Sequence, residues 1–269
     1  MVQIRPATDD DIDPVCDLLV KHVDAATPRE HFRRLFTYPW MKDKPDRGFV
    51  LTDEGRVVGY LGTVYADRMI RGRTERFCNL SSWGVLPEYR NHSLSLLYAA
   101  HRNKNQTFTN LSARPTVLKV HEALRYQLLG TYKLFTLPLA QLHSLFRFPW
   151  PGITLDTDEI GRRLNANDLQ LLRDHQATDC GHLLAGDGAR YCYVIWIQRV
   201  KRSVPFSEIM YVSDPALLRR HFEAIKLKIL WHDRTMAVPL SQLVAVNPDE
   251  STAEAIGDWH YWVAQGYCF

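Results

Sequence analysis

The stretch Phe77–Tyr98, FCNLSSWGVLPEYRNHSLSLLY, limits the folds open to this chain more than any other. Phe77–Leu86 reads as a strand, Pro87 as a turn, and the residues from Glu88 to about Lys104 as a helix. Between strand and helix lies a small-residue turn, Arg90-Asn91-His92-Ser93-Leu94-Ser95. The first N–H groups of a helix lack intrahelical partners and carry partial positive charge, so such a junction is a natural anion site. Small side chains let a ligand approach the backbone, and Arg90 adds charge. The stretch reads as a pyrophosphate cradle.

Composition narrows the class. With 269 residues, 46% hydrophobic and 23% charged, the chain is of the globular kind, with room for one large core or two ordinary ones. A net charge of +3 with no basic run argues against a nucleic-acid partner. No apolar segment reaches the ~18–20 residues of a membrane span. The opening MVQIRPATDDDID is acidic and lacks the apolar centre of a signal peptide, so a cytoplasmic location is expected. The five cysteines are scattered without a C-x-x-C pair, which argues against a disulfide framework, and Cys16 and Cys78 read as buried thiols. None of the 11 histidines forms an HxH or HExxH pattern, and His121-Glu122 lacks a second His four residues on, so no metal is expected.

Taken in order, the chain opens with a short strand (Val2–Arg5) and a helix for which Thr8, Asp9 and Asp10 offer caps. Pro28 starts a second helical piece whose Phe32, Leu35 and Phe36 form an apolar stripe. Core packing accounts for that stripe; alternatively Phe36, Tyr38 and Trp40 also border an acceptor pocket. Phe49–Thr52 and Arg56–Tyr65 then form a hairpin about Asp53-Glu54-Gly55, with the second strand ending near Met69-Ile70 and Arg71–Arg73 turning into the Phe77 strand. After the helix come a strand at Thr107–Ala113, a helix from Val117 stopped by Gly130, and a strand at Thr131–Leu137 that closes the unit. The order β-α-α-β-β-β-α-β-α-β predicts a mixed α/β sheet, mostly antiparallel and flanked by helices.

Phe146–Pro151, with two prolines in a run of aromatics, reads as a linker between domains at 1–145 and 152–269. Beyond it a helix (Asp168–His175) leads to a strand, a Gly turn (Gly186, Gly188), a long apolar strand, a basic turn (Lys201-Arg202) and another strand. Pro215 then opens a helix, and KILWHDRTMAVPL reads as a strand. The second half thus repeats the order of the first, which suggests a tandem arrangement; the alternative is a generic α/β appendage. After Pro215 the chain reads ALLRRHF without a small-residue turn, so a second copy is expected to lack the cradle.

Val85-Leu86-Pro87-Glu88-Tyr89-Arg90-Asn91-His92-Ser93-Leu94-Ser95, followed by an apolar helix, resembles the central motif of the GNAT (GCN5-related N-acetyltransferase) family, roughly V-x-P-x-[YF]-[RQ]-x-x-G-x-[GA]. The family's second motif, near A-x-x-x-Y-x-x-x-G-F, has its counterpart in Tyr126–Gly130, and IRPAT is a common opening. The resemblance covers about residues 1–140. Both family glycines are serines here, Ser93 and Ser95. Serine keeps the backbone donors that bind phosphate but gives up the room that glycine supplies.

The resemblance implies an N-acyltransferase that moves an acetyl or other acyl group from acyl-CoA to the amine of a small molecule, with no metal. Arg90, Asn91, His92, Ser93, Leu94 and Ser95 would hold the pyrophosphate, and the strand edge at Trp83, Gly84 and Val85 would pair with the pantetheine arm. Tyr126 would protonate the departing thiolate, its alternative being a packed aromatic, and Glu75 would serve as base, its alternative being an exposed loop carboxylate. Two other readings stand beside this one. One is a non-catalytic acyl-CoA or ligand-binding module; the other is an acyltransferase fed by acyl-carrier protein or long-chain donors. The second half would be a degenerate GNAT-like copy.

Overall fold

A buried carboxylate locks the first strand to the first helix. Asp11, only 4% exposed, accepts bonds from the Arg5 guanidinium at 2.6 and 2.8 Å and from the Thr8 N–H and hydroxyl at 2.8 and 2.9 Å. Burial alone would raise its pKa, but the Arg5 and Thr8 bonds hold the carboxyl below its ordinary value. The computed structural model describes residues 1–25, 27–70, 73–110, 113, 115–127, 132–136, 152–176, 178–186, 190–201, 204–235 and 238–242. The chain divides into two units after Ala123.

The first unit runs β1 (Val2–Pro6), α1 (Ile12–His22), α2 (Arg29–Thr37), β2 (Phe49–Asp53), β3 (Arg56–Ile70), β4 (Arg73–Val85), α3 (Ser93–Ala100), β5 (Thr107–Thr109) and α4 (Pro115–Ala123). Its sheet has the order β1-β2-β3-β4-β5, antiparallel except for the parallel β4–β5 pair. The β2–β3 turn forms where expected, with Glu54 and Gly55 both at positive φ (49° and 82°), as a two-residue hairpin loop requires. Val15, Cys16 and Leu19 of α1, Phe32, Leu35 and Phe36 of α2, and Leu96 and Leu97 of α3 are buried with the sheet residues Val50, Leu51, Tyr60, Leu61 and Leu80. The apolar stripe of α2 is therefore core.

The second unit contains β6 (Tyr132–Thr136), β7 (Ile153–Thr154), α5 (Thr157–Arg163), α6 (Ala166–His175), β8 (Cys180–Ala185), β9 (Cys192–Lys201), β10 (Val204–Val212), α7 (Pro215–Asp233) and β11 (Val238–Gln242). Its sheet runs β7-β8-β9-β10-β11-β6, with β10 and β11 parallel. Strand for strand, β7 to β11 repeat the topology of β1 to β5. Two buried clusters cover its two faces. One joins Leu183, Val194, Trp196 and Ile209 to Ile225 and Ile229 of α7; the other joins Leu184, Tyr193, Ile195 and Tyr211 to Ile160 of α5 and Leu171 and Leu172 of α6.

Several expectations need correction. The helix expected from Glu88 to Lys104 is a 3-10 turn (Pro87–His92) followed by α3. The helix expected to run to Gly130 ends at Ala123, and Arg125 takes a left-handed φ of 64° just beyond it; Gly130 lies outside the described residues. The strand expected to close the first sheet is β6, which pairs with β11 in the second. Lys228–Asp233, expected as strand, continues α7, because Ile229 and Leu230 stay in helical register with the buried Ile225 and add to the same apolar face. α5 was not foreseen; the Asp156 side chain starts it by accepting from the N–H groups of Asp158 and Glu159. Cys16 and Cys78 are buried thiols, as expected, whereas Cys180 is disulfide-bonded, against expectation. Among the described residues no helix is long and apolar enough to cross a membrane.

In the second unit His182 is buried, with Nδ1 2.8 Å from the Tyr193 hydroxyl. Burial, assisted by nearby His175, lowers its pKa to about 4. The unfolded chain, with an ordinary histidine near 6.5, therefore binds more protons between those values. Stability from this group is complete above about pH 6.5 and is lost as pH falls toward 4, on the order of 3 kcal/mol in all. Urea unfolding at pH 7.5 and 4.5 should show His182→Gln losing less stability on acidification than the wild-type protein.

Candidate functional site

The site is organised by where β4 and β5 part. They pair at Phe77↔Thr107, Cys78↔Phe108 and Asn79↔Thr109. From Ser81 onward, the β5-facing edge of β4 has no ladder partner among the described residues. On the other side, Tyr60↔Gly84 and Gly62↔Ser81 leave Ser82 and Trp83 facing the single residue Leu61, which is a β-bulge. Ser82 holds a φ of 51°, a left-handed conformation unusual without glycine. Trp83 Nε1 is buried and has no hydrogen-bond partner. Gly84 lies so close to Val23, just past α1, that a Cβ would collide with it.

Beyond Val85 the chain is held by Leu86 N–H donating to the Val58 carbonyl (2.9 Å) and by the Tyr89 hydroxyl donating to Asp53 (2.9 Å). The 3-10 turn and α3 then follow with no side-chain cap on either. The Ser93 N–H already donates to the Arg90 carbonyl, so not every donor of the expected cradle is available. Ser93 has φ −58° and ψ −45°, and no residue from Leu86 to Ala100 has positive φ. The two serines therefore cost the backbone nothing here. Arg90, Asn91 and Leu94 are exposed, and His92, Ser93 and Ser95 are half-buried.

The second unit has the same junction, closed. Asp214 precedes Pro215 and its carboxylate accepts from the N–H groups of Ala216 and Leu217, both at 2.9 Å, while Arg190 donates to its other oxygen at 3.2 Å. Burial opposes the charge, but these bonds hold the carboxyl below its ordinary pKa. The groups that would bind a phosphate are filled by the chain's own anion.

The proposed acid and base are placed differently from the binding residues. Glu75 is exposed, opposite Arg68 near the start of β4. Eight residues separate it from Trp83, about 26 Å at strand rise. The structure does not bring it to the open edge. Tyr126 is half-buried beyond the end of α4, in the second unit, and so is not on a helix face. Tyr38 and Trp40, for which bordering an acceptor pocket is the alternative to core packing, finish β3 where β2 ends: Tyr65 N–H donates to the Tyr38 hydroxyl at 3.0 Å and Trp40 Nε1 donates to the Tyr65 carbonyl at 2.9 Å.

Polar groups not proposed from the sequence gather where the strands part. The Thr109 hydroxyl donates to Asn79 Oδ1 (3.3 Å), and the Asn110 amide lies 2.9 Å from His121 Nε2. His121 is buried, and burial, with His101 nearby, lowers its pKa and keeps it neutral. One sequence signal could have found it: His121 falls four residues after Val117, on the same face of that helix.

A profile of the acetyltransferase (GNAT) family matches residues 12–96, from the start of α1 through the open edge to α3. Over that span the first unit is similar to the GNAT family. Three solved structures share the fold of the chain. A conserved protein of Enterococcus faecalis V583 aligns with TM-score 0.57 at 12% identity, over 89% of this chain and 65% of its own. A GCN5-related N-acetyltransferase from Kribbella flavida aligns with TM-score 0.57 at 15% identity, over 94% and 66%. A tandem GNAT protein from the clavulanic acid biosynthesis pathway aligns with TM-score 0.57 at 15% identity, over 96% of this chain and 94% of its own. The chain thus spans about two thirds of the length of the first two. At these identities the likeness is one of fold, and in the tandem protein it extends over both units.

A second profile, for calcium binding of the CcbP type, matches residues 196–263. Among the described residues no group of three or more His, Cys, Asp or Glu side chains could hold a metal ion. Asp249, Glu250, Glu254 and Asp258 of the matched segment lie outside them. No curated protein sequence matches the chain.

In the first unit the bulge makes its own prediction. Ser82→Gly should relieve the left-handed backbone and leave stability unchanged or raise it by up to ~1 kcal/mol, whereas Ser82→Val should cost ~1–3 kcal/mol. Denaturant unfolding of the two variants checks both signs.

Proposed function

We propose that the chain is an N-acyltransferase that moves an acetyl or other acyl group from acyl-CoA to the amine of a small molecule. The observation that carries this reading is the contrast between the two strand-to-helix junctions. In the first unit the junction has no side-chain cap and lies beside an open strand edge; in the second unit Asp214 fills it. An acyl-CoA presents anionic phosphates and an extended amide arm, which suit an uncapped junction at Arg90–Ser95 and the edge at Trp83–Val85. The buried, partnerless Trp83 N–H fits such a ligand.

The chemistry needs a neutral amine to attack the thioester carbonyl, the C–S bond to break, and a proton to reach the sulfur. Tyr126 is the proposed proton donor. The polar group about Asn110 and His121, where β4 and β5 part, is a better-placed environment for the amine proton than Glu75. A binding-only module is the second reading, favoured by the exposed position of Glu75 far along β4.

Thermal-shift and calorimetric titrations with acetyl-CoA, longer acyl-CoAs and free CoA test the proposal. At a hundredfold excess over Kd, binding should add about 2.7 kcal/mol of stability, and calorimetry should give a single site per chain. No shift with any of them overturns the reading. With an amine acceptor found, Tyr126→Phe should lose most of kcat while keeping affinity for acetyl-CoA; binding without turnover in the wild-type protein supports the module instead.

A further inference from the structure

We infer that the indole N–H of Trp83 holds a carbonyl oxygen of the acyl donor, either an amide of its arm or the thioester itself. This deepens the acyltransferase reading and rests on it. The first observation is the orphan itself. Trp83 Nε1 is buried with no hydrogen-bond partner, although an indole nitrogen is a donor only and forfeits its hydration on burial. Native structures rarely keep such a group unless a ligand, ion or water completes it.

The second observation is independent of the first. The residue before it, Ser82, is held at a φ of 51° within the bulge, where Ser82 and Trp83 together face Leu61. Strained left-handed backbone at a non-glycine residue persists only where the surroundings over-determine it, and it clusters at ligand sites. The bulge shifts the side-chain alternation of β4 by one residue, so Trp83 faces as it does because of that strain.

The third observation supplies the acceptor. From Ser81 to Val85 the β5-facing edge of β4 is without a ladder partner among the described residues. An extended molecule lying along that edge as an added strand pairs with alternate backbone groups of β4 and carries its own carbonyls past Trp83. An aromatic side chain with one donor selects a carbonyl or other uncharged acceptor. The phosphates belong at the other end, beside Arg90.

Trp83→Phe removes the N–H and keeps a flat aromatic ring. Without ligand, the variant should melt at the wild-type temperature or above it, because a buried unpaired donor has gone. Its affinity for acetyl-CoA, by calorimetry, should fall about five- to tenfold, the worth of one hydrogen bond to a neutral acceptor. An equal loss for free CoA assigns the bond to an amide of the arm; a loss confined to acetyl-CoA assigns it to the thioester. Wild-type affinity for acetyl-CoA in the variant overturns the inference, and so does a variant that melts several degrees lower without ligand, since the N–H is then already paired. The wild-type protein gives a separate readout. The indole N–H resonance missing from the Trp83→Phe spectrum should move downfield when acetyl-CoA is added; an unmoved resonance in a sample that binds overturns the inference. Failure of the wild-type protein to bind any CoA removes the acyltransferase reading instead.

Discussion

Among the described residues β4 pairs with β5 over only three residues, Phe77 to Asn79. Every feature of functional interest in the first unit follows from that. Parallel pairing at Phe77–Asn79 fixes β5 against the centre of the sheet, and the crossover through α3 is the helical connection such a pair needs. From Ser81 on, the edge of β4 has no ladder partner among the described residues, a condition proteins normally avoid or cover. The bulge at Ser82–Trp83 bends the strand at the same level, and Tyr89, anchored to Asp53, sets where the chain turns into α3. The opening is therefore constructed by β4 alone, while β1 to β3 supply a rigid backing.

Much of this was legible in the sequence, because it depends on local signals. The alternation and turn chemistry of Phe49–Asp53 and Arg56–Ile70 place the hairpin, Pro87 places the strand-to-helix junction, and the order of elements through β6 is as read. What failed did so for non-local reasons. Nothing near Tyr132–Thr136 says that it pairs with Val238–Gln242 rather than with the first sheet. Gly130 reads as a helix stop, but α4 ends at Ala123 and Arg125 takes φ 64°, so Tyr126 lies beyond the helix. Glu75 was placed by analogy of position, and strand geometry separates it from the edge. In the sequence His121 gives no sign of what it will meet. The Asn110 amide that it meets belongs to a different element.

The two units show how little divides a ligand site from a sealed one. Both have a fourth strand with a bulge, at Ser82–Trp83 and again between Ile209 and Tyr211, and both follow it with a helix whose first turn contains proline. The residue before that proline is Leu86 in one and Asp214 in the other. A leucine offers nothing to the N–H groups that follow, whereas an aspartate occupies two of them and gains the usual stabilisation of a cap. The absence of a small-residue turn after Pro215 pointed to a second junction without a cradle, and the structure supplies the agent, a side chain one residue earlier.

The pairing of β6 with β11 also has a consequence in time. During synthesis β6 leaves the ribosome roughly a hundred residues before the strand it joins, with the whole of the second unit between them. Until then its edge groups have no native partner, whereas the first unit, whose pairs are closer in sequence, can already be complete. The chain therefore builds its first unit early and closes its second sheet last, by returning to a segment it made long before.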